Sequence, residues 1–143
     1  GMPDHHRGYV DDFFKISTKG SIVKSSKVCV KKGPFLSCGG FPEGVVAGED
    51  LYVWMMLALN GRVACSVEYL CIVHQELDNS RGSRKNSVPY PLVFFAENKD
   101  FSKSSSLNKY LFTIFYKHFI NSLVSFKAKE AIMRLEAYMK IYI

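Results

Sequence analysis

The chain has 143 residues, of which 48% are hydrophobic and 22% are charged, and its formal net charge at pH 7 is +6. This length is sufficient for one domain with a hydrophobic core, and the composition excludes an intrinsically disordered protein. The positive charge favours anionic partners, namely nucleotide phosphates, acidic lipid headgroups or nucleic acid. Charge alone does not choose among these three.

The cysteines favour an intracellular protein. There are four of them, Cys29, Cys38, Cys65 and Cys71, with no C-x-x-C pair and no zinc-site spacing. Each lies among apolar residues, so we expect buried, reduced thiols. Because the first residues also carry no recognisable secretory signal, we expect a cytoplasmic location, which includes the inner face of a membrane.

The first forty residues predict little regular structure. Residues 1–20 have a mixed composition, and we expect a loop with a short helical piece around residues 10–16. Residues 25–32 alternate, with Val28 and Val30 on one side and polar residues on the other. This alternation predicts a β-strand.

A glycine pair, Gly39 and Gly40, precedes Phe41. Glycine adopts backbone angles that are closed to other residues, so the chain can turn sharply here and approach a ligand closely. We expect Phe41 to pack under the turn. A turn with a purely structural role is the alternative.

The most regular stretch is the apolar run at residues 51–59, which follows Gly48 and the acidic pair Glu49 and Asp50 and ends before Gly61. A helix that is apolar on nearly all sides is a buried one, so we expect both carboxylates on the first turn of a buried helix. Carboxylates held on a rigid element beside a flexible turn can act as a general base. Alternatively, the pair only complements the helix dipole.

Two stretches of different character follow this helix. Residues 62–74 alternate in hydrophobicity and predict one or two strands with a kink near Glu68, ending at His74. Residues 78–106 are rich in Ser, Asn, Lys and Arg. Because Pro89 and Pro91 interrupt this second stretch, we expect a long loop without regular elements.

The last part of the chain predicts two helices. Apolar residues recur at helical spacing at Leu107, Tyr110, Leu111, Ile114 and Phe115. In the second helix we expect an apolar face made by Ile132, Leu135, Met139 and Tyr142, and a solvent face made by Lys127, Glu130 and Arg134. The apolar face packs against the domain or a partner subunit, or it seats the tail on an anionic membrane surface.

The order of three motifs resembles the C-terminal half of family 2 glycosyltransferases of the GT-A fold. They are GGFPEG, then AGEDLYVWMMLALNGRVACS, then a strand that ends at His74, and the resemblance covers residues 25–74. It implies an α/β fold in which residues 1–105 form the acceptor-side portion of a GT-A domain, with a short mixed sheet and a buried helix. Residues 106–143 then form an amphipathic helical tail.

The resemblance also implies a reaction, the inverting transfer of a sugar from a nucleotide-sugar donor to a hydroxyl of a glycan or lipid-linked saccharide. Asp50 would be the catalytic base, and Glu49 would support it or bind the acceptor. Trp54 would support the motif from the core.

Further roles follow from the same resemblance. The substrate-binding residues would be Gly39, Gly40 and Phe41 on the acceptor side and Arg81 and Arg84 at the donor phosphates. His74 would face the diphosphate or a divalent metal, Mn or Mg. The Asp-x-Asp motif that holds this metal in the family does not occur in the sequence. We therefore expect the nucleotide-binding half to lie outside this chain, and the isolated chain to be inactive.

Two other function classes compete with this interpretation. The chain can be a non-catalytic module that drives homo-oligomerisation or another protein interaction. It can also bind nucleic acid, but it has no helix-turn-helix, zinc-finger or aromatic-stacking signature, and only its charge supports that class. We therefore expect no nucleic-acid partner.

Overall fold

The structure, a computed structural model, describes residue 2 and residues 5–72, 87–124 and 127–142, without the side chains of residues 102, 103 and 142. The elements follow in this order: β1 Arg7–Tyr9, α1 Phe13–Ser17, α2 Lys32–Ser37, α3 Glu49–Asn60, β2 Ala64–Ser66, α4 Tyr90–Glu97, α5 Ser105–Val124 and α6 Ala128–Tyr142. Short 3-10 helices occupy Ser25–Lys27 and Lys99–Lys103. The described part is therefore mostly helical with a small sheet, which agrees with an α/β class at this coarse level.

The sheet consists of β1 and β2, which pair antiparallel with Gly8 opposite Cys65. Two further backbone hydrogen bonds, from Val10 N–H to Val63 O at 2.8 Å and from Val67 N–H to His6 O at 3.1 Å, extend the pairing at its two ends. A short mixed sheet was expected, but the described ranges contain only this antiparallel pair.

The predicted strand at residues 25–32 is wrong. A 3-10 helix fills Ser25–Lys27, and α2 begins at Lys32. Val28 between them is extended, but no described strand hydrogen-bonds to this segment. Alternation alone does not make a strand, because a strand is stabilised by the neighbour with which it pairs.

The predicted buried helix is α3. Its first half lies in the core, with Val53 and Met55 completely buried, whereas its last turn is only partly buried. It ends at Asn60, whose side-chain amide donates to the Met56 carbonyl at 2.8 Å, and Gly61 is extended with φ −160°. The helix prediction is confirmed, and Gly61 marks its end without a left-handed turn.

The loop predicted for residues 78–106 contains a helix, so that prediction is wrong for its second part. Pro91 lies in the first turn of α4 and does not break it. Proline suits this position because its fixed φ is helical and the first turn needs no N–H donor. Leu92 and Phe95 then bury α4 in the core.

The apolar spacing predicted for α5 is confirmed. All five residues named above, Leu107, Tyr110, Leu111, Ile114 and Phe115, are buried. The rings of Phe13 and Phe14 lie 6.3 and 6.0 Å from the Tyr110 ring. A single core cluster therefore includes residues on both sides of residue 105.

The prediction that the apolar face of α6 packs against the domain is wrong, and so is the solvent-facing position predicted for Arg134. Ile132, Leu135 and Met139 are exposed, whereas Ala131, Arg134 and Ile141 are buried. The helix is turned because Tyr138 stacks on Phe115, with ring centroids 4.3 Å apart, and Arg134 finds polar partners on α5 and α6.

The expectation of buried cysteines is also wrong, because Cys29 and Cys71 are exposed and Cys38 and Cys65 are partly exposed. All four are free thiols. Within the described ranges, no helix combines the length and the apolarity that a membrane span requires.

Candidate active site

The glycine pair ends α2 and turns the chain back. Gly39 N–H donates to Leu36 O at 3.1 Å and Gly40 N–H donates to Phe35 O at 3.0 Å. With φ of +88° at Gly39, these two bonds form a Schellman motif, which provides hydrogen-bond donors for carbonyl groups at the end of a helix that have no partner within it. The predicted sharp turn at Gly39 and Gly40 is present.

This turn places Phe41 between two aromatic rings. Its centroid lies 5.3 Å from that of Phe35 and 6.2 Å from that of Trp54, both with edge-to-face geometry. Phe41 itself remains 49% exposed, so it caps the small cluster and is not buried under the turn as expected. Trp54 is buried, and its indole N–H has no partner among the described residues.

The acidic pair occupies the first two positions of α3. One carboxylate oxygen of Asp50 accepts from the Leu51 N–H at 2.7 Å, and the other accepts from the Ser25 hydroxyl at 2.6 Å. Glu49 and Asp50 are both partly exposed. The two hydrogen bonds fix the orientation of the Asp50 carboxylate, while its partial exposure leaves it accessible from solvent.

Gly48 lies where the start of α4 closely approaches the start of α3. It precedes α3 with φ +82°, and a Cβ built on it would lie 3.1 Å from both Pro91 Cδ and Tyr90 N. The Tyr90 N–H donates to Ala47 O at 2.9 Å, which fastens the start of α4 over the start of α3. Only glycine combines this backbone angle with this close approach.

A buried tyrosine, Tyr110, interacts electrostatically with the Asp50 carboxylate. The pKa of Tyr110 is raised, mainly because the phenol is buried and also because of the negative charge of Asp50, whereas the nearby Ser17 side chain acts in the opposite direction. Tyr110 therefore remains a neutral phenol at physiological pH. The pKa of Tyr52 is raised as well, by burial first and then by Tyr90 and Cys38.

The predicted site residues divide into two groups. Trp54 follows Asp50 by one helical turn and meets Phe41, so Asp50 and the glycine turn lie on the same side of α3. His74, Arg81 and Arg84 lie outside the described residues.

Sequence reasoning missed Ser25, Gly48 as a packing site, and the α4 segment at Tyr90 and Pro91. Ser25 gave no signal, because it is 25 residues away from Asp50 in the chain. The Pro-Tyr-Pro sequence at residues 89–91 is a signal for a helix start that could have been used.

The described ranges contain no group of three or more His, Cys, Asp or Glu side chains arranged to hold a metal ion. The divalent metal that the resemblance implies thus has no ligand set among them, and we assign no chemical step to it. What the described residues offer is an oriented, partly exposed carboxylate on the same side of α3 as a half-exposed aromatic ring.

Comparison of the chain with protein-family models, with curated proteins and with solved structures found no match. The resemblance to family 2 glycosyltransferases therefore rests on the sequence motifs quoted above.

Proposed function

We propose that this chain supplies the acceptor-side catalytic part of an inverting glycosyltransferase, similar to family 2 enzymes of the GT-A fold. The observation that carries this proposal is the Asp50 carboxylate. It is partly exposed, it is fixed by the Leu51 N–H and the Ser25 hydroxyl, and it opens a helix whose first half is buried. A base needs this combination of rigid placement and access.

The chemistry requires a proton acceptor. A sugar hydroxyl is a weak nucleophile at neutral pH, so its attack on the anomeric carbon is assisted when a carboxylate takes the proton. The new C–O bond forms on one face of the donor sugar as the bond to the nucleotide diphosphate breaks on the other, which inverts the centre. Asp50 accepts the hydroxyl proton, and Ser25 keeps its carboxylate oriented.

The surroundings fit an acceptor saccharide. The half-exposed ring of Phe41 offers an apolar surface on the same side of α3, and Glu49 adds a second carboxylate that can accept a hydrogen bond from a sugar hydroxyl. Roles for Arg81 and Arg84 at the donor phosphates, and for His74 near a metal, remain predictions from the sequence.

The test separates donor binding from transfer in an active enzyme that contains this chain. Asp50→Asn keeps the size of the side chain but removes its basicity, so we expect transfer to fall by at least about 100-fold while calorimetry still detects the nucleotide sugar. Asp11→Asn, the same change at an exposed aspartate before α1, is the matched control and should leave transfer unchanged. Undiminished turnover in Asp50→Asn would remove Asp50 from the role of base.

A further inference from the structure

The outward side of α5 and α6 carries a run of exposed apolar side chains. We call this the outer face, and it consists of Phe112, Tyr116 and Leu123 of α5 and Ile132, Leu135 and Met139 of α6. Each of these side chains is between 41% and 55% exposed. Single exposed apolar residues are common, but a contiguous set of this kind marks an interaction surface.

The six residues lie on one side of the helix pair. Tyr138 contacts Phe115 and Arg134 contacts His118, so α6 runs antiparallel to α5 along a seam between them. On α5 the outer residues are spaced by four and seven positions, and on α6 by three and four. At about 100° per residue, each stripe occupies one side of its own helix. The Phe112 ring lies 5.9 Å from the ring of Tyr138, the residue before Met139, which brings the two stripes together.

Positive charges border the outer face. Lys109 precedes Phe112 by three residues, Lys129 precedes Ile132 by three, and Lys140 follows Met139, and all three lysines are exposed. None of the three forms an ion pair with a described residue. Glu136 is the acidic residue on this rim.

The charge around the outer face favours an anionic surface over a second copy of the chain as its binding partner. The three bordering lysines and Glu136 leave an excess of two positive charges on the border of the outer face, and the whole chain carries +6. A second copy on this face would bring like charges together, whereas an anionic surface neutralises them. Apolar and aromatic side chains enter the boundary between headgroups and acyl chains, and lysines beside them reach lipid phosphates.

We propose that the outer face of α5 and α6 is a docking surface for an anionic lipid bilayer, on which the helix pair lies flat. This proposal does not depend on sugar transfer, and it can be tested with the 143-residue chain alone.

The experiment is flotation of the chain with vesicles of phosphatidylcholine, with and without phosphatidylglycerol. We expect binding to the anionic vesicles and release at high salt. Ile132→Ser/Met139→Ser should lower the partition coefficient by about tenfold or more, because it removes apolar area that the bilayer buries. Lys129→Glu/Lys140→Glu should lower it by at least about tenfold at low salt, because each basic residue near the surface contributes separately.

Matched controls make the same changes elsewhere. Leu36→Ser/Val46→Ser alters two exposed apolar residues, and Lys31→Glu/Lys32→Glu alters two exposed lysines, all outside the outer face. The serine control, Leu36→Ser/Val46→Ser, should bind within about twofold of the parent chain. The glutamate control, Lys31→Glu/Lys32→Glu, should bind more tightly than Lys129→Glu/Lys140→Glu. Circular dichroism checks that every variant is folded.

Three results would overturn the proposal. The first is no preference for anionic vesicles, and the second is an equal loss of binding in the outer-face and control pairs, which would indicate attraction by overall charge. The third is a stable dimer in light scattering that Ile132→Ser/Met139→Ser converts to a monomer. That result would assign the outer face to a second copy of the chain.

Discussion

Asp50 depends on residues that carry no chemistry of their own. Its carboxylate is held by the hydroxyl of Ser25 and the backbone N–H of Leu51. Directly before its helix, Gly48 has no Cβ, and this allows the start of α4 to pack closely against the start of α3. A short polar donor and a missing Cβ therefore set the geometry of the candidate base. Each of these two features can be tested by itself.

Gly48→Ala should lower the free energy of unfolding by about 2–4 kcal/mol, because it combines a left-handed backbone with a contact against Pro91 and Tyr90. Gly44 is the matched control, since it has φ +72° but open space around the position of a Cβ. Gly44→Ala should cost only the backbone part, about 1–2 kcal/mol. Urea unfolding measures both, and equal losses would contradict the close approach of α4.

The hydrogen bond between Ser25 and Asp50 should appear as an energetic coupling. In a double-mutant cycle of Ser25→Ala and Asp50→Ala, we expect an interaction of about 0.5–1.5 kcal/mol in the free energy of unfolding. The value belongs at the lower end because both side chains are reached by solvent. Additive effects of the two substitutions would show that the bond does not persist in solution.

At the scale of the elements, α6 shows how a buried charge decides the orientation of a helix. Arg134 donates to the His118 carbonyl at 2.9 Å and pairs with Glu130 at 3.8 Å, so its guanidinium is compensated although the side chain is buried. A charge is buried only when it has such partners. With Arg134 facing α5, the more apolar stripe of α6 is left on the outer face.

The same arrangement predicts a pH dependence. The pKa of His118 lies below its usual value of about 6.5, first because the ring is buried and then because of the positive charges of Arg134 and Lys117. Between the lowered native pKa and the unfolded value, the unfolded chain binds more protons. Stability due to His118 is therefore complete above about pH 6.5 and is lost as the pH falls toward the native pKa.

His118→Gln should remove this contribution. Urea unfolding between pH 7.5 and 5.5 should show a smaller loss of stability in the variant than in the parent chain, and the comparison cancels the other titrating groups. Parallel curves for the two proteins would contradict the account of His118.

For the molecule as a whole, the sequence predicted those elements whose signal is local. The apolar residues from Leu107 to Phe115 and the apolar run of α3 pack into the hydrophobic core, so their pattern along the chain was sufficient to predict both helices. The glycine pair likewise predicted its turn, because the turn requires positive φ angles and glycine adopts them without steric cost.

The features that failed depend on contacts between distant segments. The extended chain at Val28 finds no partner among the described strands, Arg134 is buried because α5 supplies a carbonyl, and Ser25 reaches Asp50 only after folding. No local pattern encodes these contacts. The candidate base was predicted from a motif, whereas the residues that orient it became visible only in the structure.

The measurement that tests the central claim most directly is chemical rescue of Asp50→Ala in an active enzyme that contains this chain. If Asp50 takes the proton of the acceptor, the variant should be nearly inactive, and added formate should restore part of the turnover in a saturable way by supplying the missing carboxylate. Full turnover of Asp50→Ala without formate would contradict the account.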